Sequence, residues 1–412
     1  MTNWQTKKLG DVMDFIPTGS HSRNDMTIAT GDEDEVLNIH YGDIHTKYST
    51  YVDCEEDSVP ALKDNNIRAQ MLLKDGDLVV ADASEDYDGV GSCVELRNVS
   101  ERKVIGGLHT FALRSKNDEF APGFTGIMLK NPATHKRLMQ VSVYSKVYGL
   151  TKSSIAGVDV SYPEKPEQER IVGVLEVWDE YIEKLEQKIA LKEQLKKGLM
   201  QQLLTGKRRL PGFEGDWQKL KLSDIAKIRK GTQLNRSTLS ENMAGLNKYA
   251  VINGGITPSG YTDTMNTKAG AITISEGGNS CGYVNYIKKD FWLGGHCYEI
   301  INNQKVDQIY LYPFLKANQS KIMSLRVGSG LPNIQKSSLE NLKVLLPETK
   351  KEQEELGLIM LHSVTEIEQL SEKLQIMKLQ KKYLLKNLIT GTIRTPEDLQ
   401  PLDTSRLERS AL

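Results

Sequence analysis

Apolar and polar positions recur along this chain with two different periods. From Pro163 to Gly206, and again from Pro347 to Gly391, apolar residues return in steps of three and four, the period of a helix face. The first series is Leu175, Trp178, Ile182, Leu185, Ile189, then Leu199 and Leu203. The second is Met360, Val364, Ile367, Leu370, Leu374, Met377, Leu384 and Leu388. Each stretch opens on Pro-Glu, carries Glu-Gln-Glu shortly after (Glu167, Gln168, Glu169; Glu352, Gln353, Glu354) and closes on Leu/Ile-Thr-Gly. Proline ahead of the run and glycine behind it mark a helix start and stop. The pattern predicts two helices of about 38 residues, roughly 57 Å long, each with a heptad-like seam. Met377 continues the seam where the first copy has Lys192, and both copies place lysine next, at Lys196 and Lys381. A seam of that length cannot be hidden in a small domain. The matched caps and register make the other copy its expected partner; separate oligomerisation coils are the alternative.

Outside these stretches the period shortens. Apolar runs bounded by turn residues predict strands at Val36–Ile39, Leu78–Ala81, Val104–Ile105 and Phe111–Leu113. Phe124–Leu129 and Arg137–Tyr144 read as helical. The block before the first long helix also returns after it. Trp4, Leu9, Asp11 and Val12 recur as Trp217, Leu222, Asp224 and Ile225. The run from Lys74 to Val80 recurs from Lys268 to Ile274, Ser92-Cys93 as Ser280-Cys281, Gly106-Gly107 as Gly294-Gly295, and Lys152-Ser153-Ser154-Ile155 as Lys336-Ser337-Ser338-Leu339. Lys207-Arg208-Arg209 and the Gly/Pro-rich Leu210 to Gly215 read as a linker. The chain is thus expected to be a tandem duplication of α+β class: a mixed α/β block at 1–162, a long helix at 163–209, a second block at 210–346, a second helix at 347–395 and a tail at 396–412. The frame repeats while the interior does not, as expected of one geometry reading two different things.

Composition narrows the function classes. With a formal net charge of −1 over 412 residues, the whole chain has no global nucleic-acid footprint. The polar start and the lack of an apolar run near 18 residues argue against a signal peptide or membrane span. Cys54, Cys93, Cys281 and Cys297 are scattered without a CxxC pair, so neither a zinc site nor a disulfide framework is expected, and a reducing cytoplasm fits. Ser84, Asp86, Asp88, Gly89 and Glu95 imitate the spacing of a calcium loop. A strand rather than a helix leads into them, and Glu276 onward in the second block lacks the acids, so a solvated turn is the better reading. Asn131-Pro132-Ala133-Thr134 resembles the start of an amino-methyltransferase motif but lacks the stacking aromatic. No phosphate-binding glycine loop is present. His109 and His296 each follow a glycine pair with no evident nucleophile, and read as strand-edge residues.

Polar and basic loop residues remain as candidate contacts. Block one offers Ser20, His21, Arg23, Asn24, Lys47, Tyr87, Thr151 and Lys152; block two offers Lys230, Gln233, Asn235, Arg236, Tyr261, Asn279, Arg326, Asn333 and Lys336. Arg, Lys, Asn and Gln can read base edges, while Ser, Thr and Lys can hold phosphates. Block one carries 17 basic and 24 acidic residues, and block two 16 and 10. Block two is the stronger expected phosphate binder, and block one must rely on local patches or a partner.

The ordered set of helix openings at Pro163/Gln168 and Pro347/Gln353, the Leu-Leu-Thr-Gly and Leu-Ile-Thr-Gly endings, the Trp…Leu-x-Asp-Val/Ile block openings and the Lys-Ser-Ser-Ile/Leu segments resembles the DNA specificity subunits of Type I restriction-modification systems. The resemblance spans essentially the whole chain. It implies two target-recognition domains, each binding one half of a split site on double-stranded DNA, held apart by two conserved helices packed as an antiparallel coiled coil. It also implies a non-catalytic subunit that joins methyltransferase (modification) subunits and a restriction translocase in the cytoplasm. S-adenosylmethionine, ATP and Mg would then belong to those partners, with no cofactor in this chain. A coiled-coil scaffold tethering two ligand-binding domains without DNA is the alternative. A self-sufficient methyltransferase is disfavoured by the missing cofactor motifs.

Overall fold

A computed structural model describes residues 4–32, 34–206, 208–328 and 330–399. Lys207 of the expected linker, and the tail beyond 399, lie outside the described residues. Both long periodic stretches are single helices of 39 residues, Lys165–Leu203 and Lys350–Leu388. Two compact units partition the chain: one runs to Lys184 and resumes at Gln375, the other is Leu185–Leu374. Each unit therefore holds one block with part of both long helices.

In the first unit a five-stranded sheet runs in the order Met13–Ile16, Thr110–Ser115, Leu78–Ala81, Cys93–Arg97, Tyr51–Asp53. Its central strand, Leu78–Ala81, is apolar and fully buried, as a strand covered on both faces must be. A second sheet orders Lys103–Gly106, Val36–Ile39, Ala61–Leu62 and Met26–Thr27. All four strands foreseen from the sequence are present. The helical segments are Thr125–Met128 and Pro132–Val141. The second starts earlier than expected because Asn131 caps it, its side-chain oxygen accepting from Ala133 N at 3.0 Å, with Pro132 at the first turn. It also stops earlier, since Val143–Tyr144 pair as a strand.

The second unit repeats this plan with a four-stranded sheet, Ala226–Lys230, Cys297–Asn302, Ala271–Ser275 and Val284–Ile287, and a three-stranded one, Tyr261–Thr262, Tyr249–Ile252 and Phe291–Leu293. Hydrogen-bond register decides which landmarks correspond. Leu9 N donates to Val158 O at 2.9 Å and Leu222 N to Leu342 O at 2.8 Å, so the block openings match. Val80 pairs with Phe111, and Ile274 with Tyr298, as the Lys74 and Lys268 runs require. Two sequence landmarks need correction. Cys93 faces Val80 whereas Val284 faces Ile274, so Cys93 corresponds to Val284 rather than Cys281; the turn between these strands is longer in block one. Gly107 N donates to Ile39 O and Gly294 N to Ile252 O. Gly107, not Gly106, is therefore the counterpart of Gly294, and His109 falls on His296.

The seam residues lie on the least exposed side of each long helix. In the first unit Ile171, Val172 and Leu175 join Leu388 and Ile389 in one core, with Leu384 at its margin. In the second, Met200, Leu203 and Leu204 join Leu356 and Met360, with Leu199 at the margin. Leu185, Val364 and Ile367 are buried, while Trp178, Ile182, Ile189, Leu370, Leu374 and Met377 are half-buried. Within each unit the helices run antiparallel. Asp179 pairs with Lys381 and Glu167 with Arg394 in the first; Lys192 meets Glu366 at 2.6 Å and Arg209 meets Glu352 at 2.7 Å in the second. Lys192 and Lys381, which interrupt the apolar series, are thus half-buried and each answered by a carboxylate on the facing helix.

The Glu-Gln-Glu openings have a packing reason. Gln168 and Gln353 are each 1 % exposed. Gln168 Oε1 accepts from Ala121 N at 2.9 Å and its amide donates to Pro163 O at 2.9 Å. Gln353 repeats both bonds with Asp307 N and Pro347 O, each at 2.9 Å. The amide satisfies backbone groups on both sides of the helix start at once.

Candidate nucleic-acid interface

In each block the same four segments meet at one end of the sheets: the loop after the first sheet strand, the strand-to-strand hinge at Gly107 or Gly294, the turn after the central strand, and the loop before the helix Lys152–Ala156 or Lys336–Glu340. The hinge needs glycine. A Cβ on Gly107 would lie 2.7 Å from Asn38 Nδ2, and one on Gly294 would lie 2.4 Å from Asn253 Oδ1. His109 and His296 follow the hinge and are exposed rather than packed into a strand edge.

In block two, Lys230 Nζ donates to Glu276 Oε1 at 2.6 Å, and Tyr298 OH donates to the same oxygen at 2.7 Å. Glu276 N donates to His296 O at 2.9 Å, and Asn333 bridges Gly277 and Val327. Gln233 and Arg236, with Leu234, Leu239, Val251, Asn253 and Ser259, line a cavity of about 330 Å³. Asn235 caps the turn Arg236–Thr238, its side-chain oxygen accepting from Ser237 N at 3.2 Å. Tyr261 joins this group through its bridge to Ser240. Lys230, Gln233, Asn235, Arg236, Tyr261 and Asn333 thus converge. Asn279 and Arg326 are exposed in neighbouring turns. Lys336 is exposed on the helix that follows and lies 3.6 Å from Glu340.

In block one fewer of the expected side chains face outward unengaged. Arg23 grips Asp43 with both terminal nitrogens, at 3.0 and 2.5 Å. Lys47 donates to Ser58 O and lies over the Tyr48 ring. Thr151 caps the helix Lys152–Ala156, its hydroxyl accepting from Ser154 N at 3.1 Å. Lys152 sits 4.7 Å from the centre of the Phe15 ring. Ser20 and Asn24 are exposed, and His21 is half-buried against Gly19. The Tyr87 ring lies tilted against that of Tyr148, with centres 5.1 Å apart. Asp82 and His109 approach to 3.3 Å, and the Tyr41 ring stands edge-on to His109 at 5.3 Å. Burial raises the Asp82 carboxyl while His109 opposes that shift. Asp82, Tyr41, Tyr148, Asn253, Glu276 and Tyr298 did not emerge from single-residue reasoning. Register could have found Glu276 and Asp82, each one residue past the matched central strands.

The remaining chemistry is structural. Asp86 Oδ1 accepts from Gly89 N at 2.6 Å, a turn closed on itself. Among the described residues no group of three His, Cys, Asp or Glu is placed to hold a metal ion, and no helix is long and apolar enough to cross a membrane. The four cysteines are free and buried. Burial pushes the thiols of Cys54 and Cys297 up to about 12 and that of Cys93 to about 11, which leaves these three poor nucleophiles near neutral pH.

Residues 214–385 match the family model for the Type I restriction modification DNA specificity domain. The chain is 32% identical over 171 residues to a putative type I specificity subunit of Mycoplasma pneumoniae, covering 41% of this chain and 44% of that protein. It is 31% identical over 140 residues to one of Mycoplasma genitalium, covering 34% and 35%. The chain thus spans less than half the length of these curated relatives. Its fold is similar to the crystal structure of a Type-I restriction-modification system S subunit from M. genitalium, with a TM-score of 0.66 at 16% identity over 94% of this chain and 96% of that one. Residues 214–385 are thus similar to the Type I restriction modification DNA specificity domain, and the chain shares the fold of a Type-I restriction-modification system S subunit.

Proposed function

We propose that this chain is the sequence-reading subunit of a type I methyltransferase and restriction complex. Each block reads one half of a bipartite, asymmetric site on double-stranded DNA, and the long helices set the unread spacer. The observation that carries this reading is the repeated loop cluster. Two blocks with the same hydrogen-bond register present different side chains at matching places, Gln233, Leu234 and Asn235 in one and Ser20, His21 and Ser22 in the other. The arginine that follows is common to both, but Arg23 is engaged by Asp43 while Arg236 is exposed beside a cavity. Such side chains supply base-edge and phosphate contacts. Unlike blocks give unlike half-sites. The chain acts without catalytic residues of its own; methyltransferase subunits and a restriction translocase dock on the remaining surface and bring S-adenosylmethionine, ATP and Mg. Mapping methylated adenines in the genome of a host expressing this chain with its methyltransferase subunit tests the proposal. A split asymmetric motif that disappears when this chain is deleted is the expected result. Methylation that persists unchanged without it would return the DNA-free scaffold to first place.

A further inference from the structure

The segment that leads from the small helices back to the long helix has an unusual charge record. Block one is acidic, yet residues 121–158 contain no Asp or Glu and carry Lys130, Lys136, Arg137, Lys146 and Lys152. The matching stretch of block two, 308–339, also lacks carboxylates and carries Lys316, Lys321, Arg326 and Lys336. Lys130 and Lys316 are largely buried, and burial lowers the pKa of each; the other seven cations are exposed.

A hairpin projects from the middle of each segment. In block one Val143 pairs with Gly149 and Tyr144 with Tyr148, and Tyr148 pairs with Ser84 beside the central strand. In block two Val327 and Gly277 both bridge Asn333. The two hairpins occupy the same place in the frame, and both carry exposed apolar side chains: Val143 at 66% and Tyr144 at 63%, Val327 at 54% and Leu331 at 86%. In block one the rings form a ladder, Tyr144 on Tyr148 at 4.9 Å and Tyr148 on Tyr87 at 5.1 Å. Glu85, Asp86 and Asp88 lie exposed on the turn after Ser84, beside the first hairpin, but the hairpin segments themselves carry only cations, which suits a tip that enters a polyanion.

We infer that these two hairpins are wedges that insert their apolar tips between base pairs of the duplex, while the flanking cations hold the phosphates on either side. The inference rests on the DNA-reading function proposed above and adds a step to it: local unstacking, which an enzyme acting on a base in a duplex requires. Tyr144 offers a ring face on which a base can stack; Leu331 can only fill the gap.

The test uses the full chain assembled with its methyltransferase subunits on unmodified genomic DNA. Modified sites are mapped by sequencing, and unstacked thymines by permanganate oxidation. Tyr144→Ala should slow methylation in one half-site by roughly tenfold or more and abolish permanganate reactivity there, with the recognised sequence and subunit assembly unchanged. Tyr144→Phe, which keeps the ring, should behave as the parent. Leu331→Ser should produce the same losses in the other half-site. Unchanged rates and reactivity for Tyr144→Ala would overturn the wedge. Loss of methyltransferase subunits would make the hairpin a protein-docking surface, and a relaxed recognition sequence would make it a base reader; either result overturns the wedge while leaving the DNA-reading function intact. A parent complex that modifies no DNA would overturn that function itself, and the wedge with it.

Discussion

Glu352 is 1 % exposed, and its carboxylate accepts two hydrogen bonds from Arg209, at 2.7 Å from Nε and 2.8 Å from Nη2. Trp217 Nε1 approaches the same carboxylate at 3.3 Å. The first unit repeats the arrangement: Glu167, 6% exposed, is gripped by both Nε and Nη2 of Arg394. In both cases the arginine follows the end of one long helix and the glutamate opens the other. The lock therefore joins a helix end to a helix start within each unit.

Removing one side of that lock leaves a carboxylate buried without its counter-charge. Arg209→Ala is expected to destabilise the second unit by about 3–5 kcal/mol, and Arg209→Lys by less, because lysine keeps the charge but not the two-pronged geometry. Urea unfolding followed by tryptophan fluorescence measures both. Equal midpoints for parent and Arg209→Ala would show that Glu352 finds water or another donor.

Acid should weaken the first unit through His40. Its ring is 6% exposed and its Nδ1 accepts from Gly42 N at 3.1 Å. Burial holds its pKa below the ordinary histidine range; Arg23 and His109 add to the shift and Asp43 opposes it. A base with a depressed folded-state pKa binds its proton more readily when unfolded, so stability rises with pH between the folded and unfolded values. His40 therefore costs nothing above about pH 6.5, its unfolded pKa, and destabilises the unit as pH falls toward the folded-state value. Asn253 follows Ile252 in block two as His40 follows Ile39 in block one, and does not titrate. His40→Asn should accordingly flatten the pH dependence of the first unit's unfolding midpoint between about pH 7.5 and 5. A variant with the parent's slope would place the acid sensitivity elsewhere.

Much of this architecture was legible because the sequence states it twice. The long helices, the central strands at Leu78 and Ala271, and the recurring Lys152 and Lys336 segments all follow from repeated local pattern. Hydrogen-bond register was not legible at the glycine hinge, where Gly106-Gly107 and Gly294-Gly295 look alike in sequence but only Gly107 and Gly294 close on the neighbouring strand. The engagement of Arg23 by Asp43 and of Lys230 by Glu276 was equally hidden, because each pair is brought together by tertiary folding across 20 and 46 residues. Residue type alone marked all three candidate cations of block one, Arg23, Lys47 and Lys152, as contacts. The structure occupies two of them internally and leaves the exposed cations of 121–158 as the alternative footprint.

Helix length is expected to set the gap in the target. Four residues inserted after Lys184 and four more after Leu374 fall where the two units divide, so the contacts within each unit survive. Each insertion adds about 6 Å of helix, close to two base pairs at 3.4 Å each. Sequencing the modified sites should show both half-sequences retained and the spacer lengthened by about two. An unchanged spacer would remove the helices as the ruler.

Reading by halves is the most exacting expectation. Arg236 is exposed and borders the cavity shared with Gln233 and Asn253, whereas Lys230 is committed to Glu276 at 2.6 Å. If Arg236 reads a base edge with both terminal nitrogens, Arg236→Ala forfeits roughly 1–3 kcal/mol of discrimination and relaxes one position of one half-site. Loss of an exposed phosphate-holding cation such as Arg326 should instead weaken all sequences alike and lower the salt slope by about one unit. Exchanging 210–346 for the corresponding block of a relative carries the same logic to its limit. The frame residues Leu222, Gln353 and Glu352 keep their partners in kind, so the unit should still fold and still bind the methyltransferase subunits. One half of the recognised sequence should change and the other persist. A swap that alters both halves, or neither, would mean that the blocks do not read independently, and the repeated register would then need a different explanation from two readers on one frame.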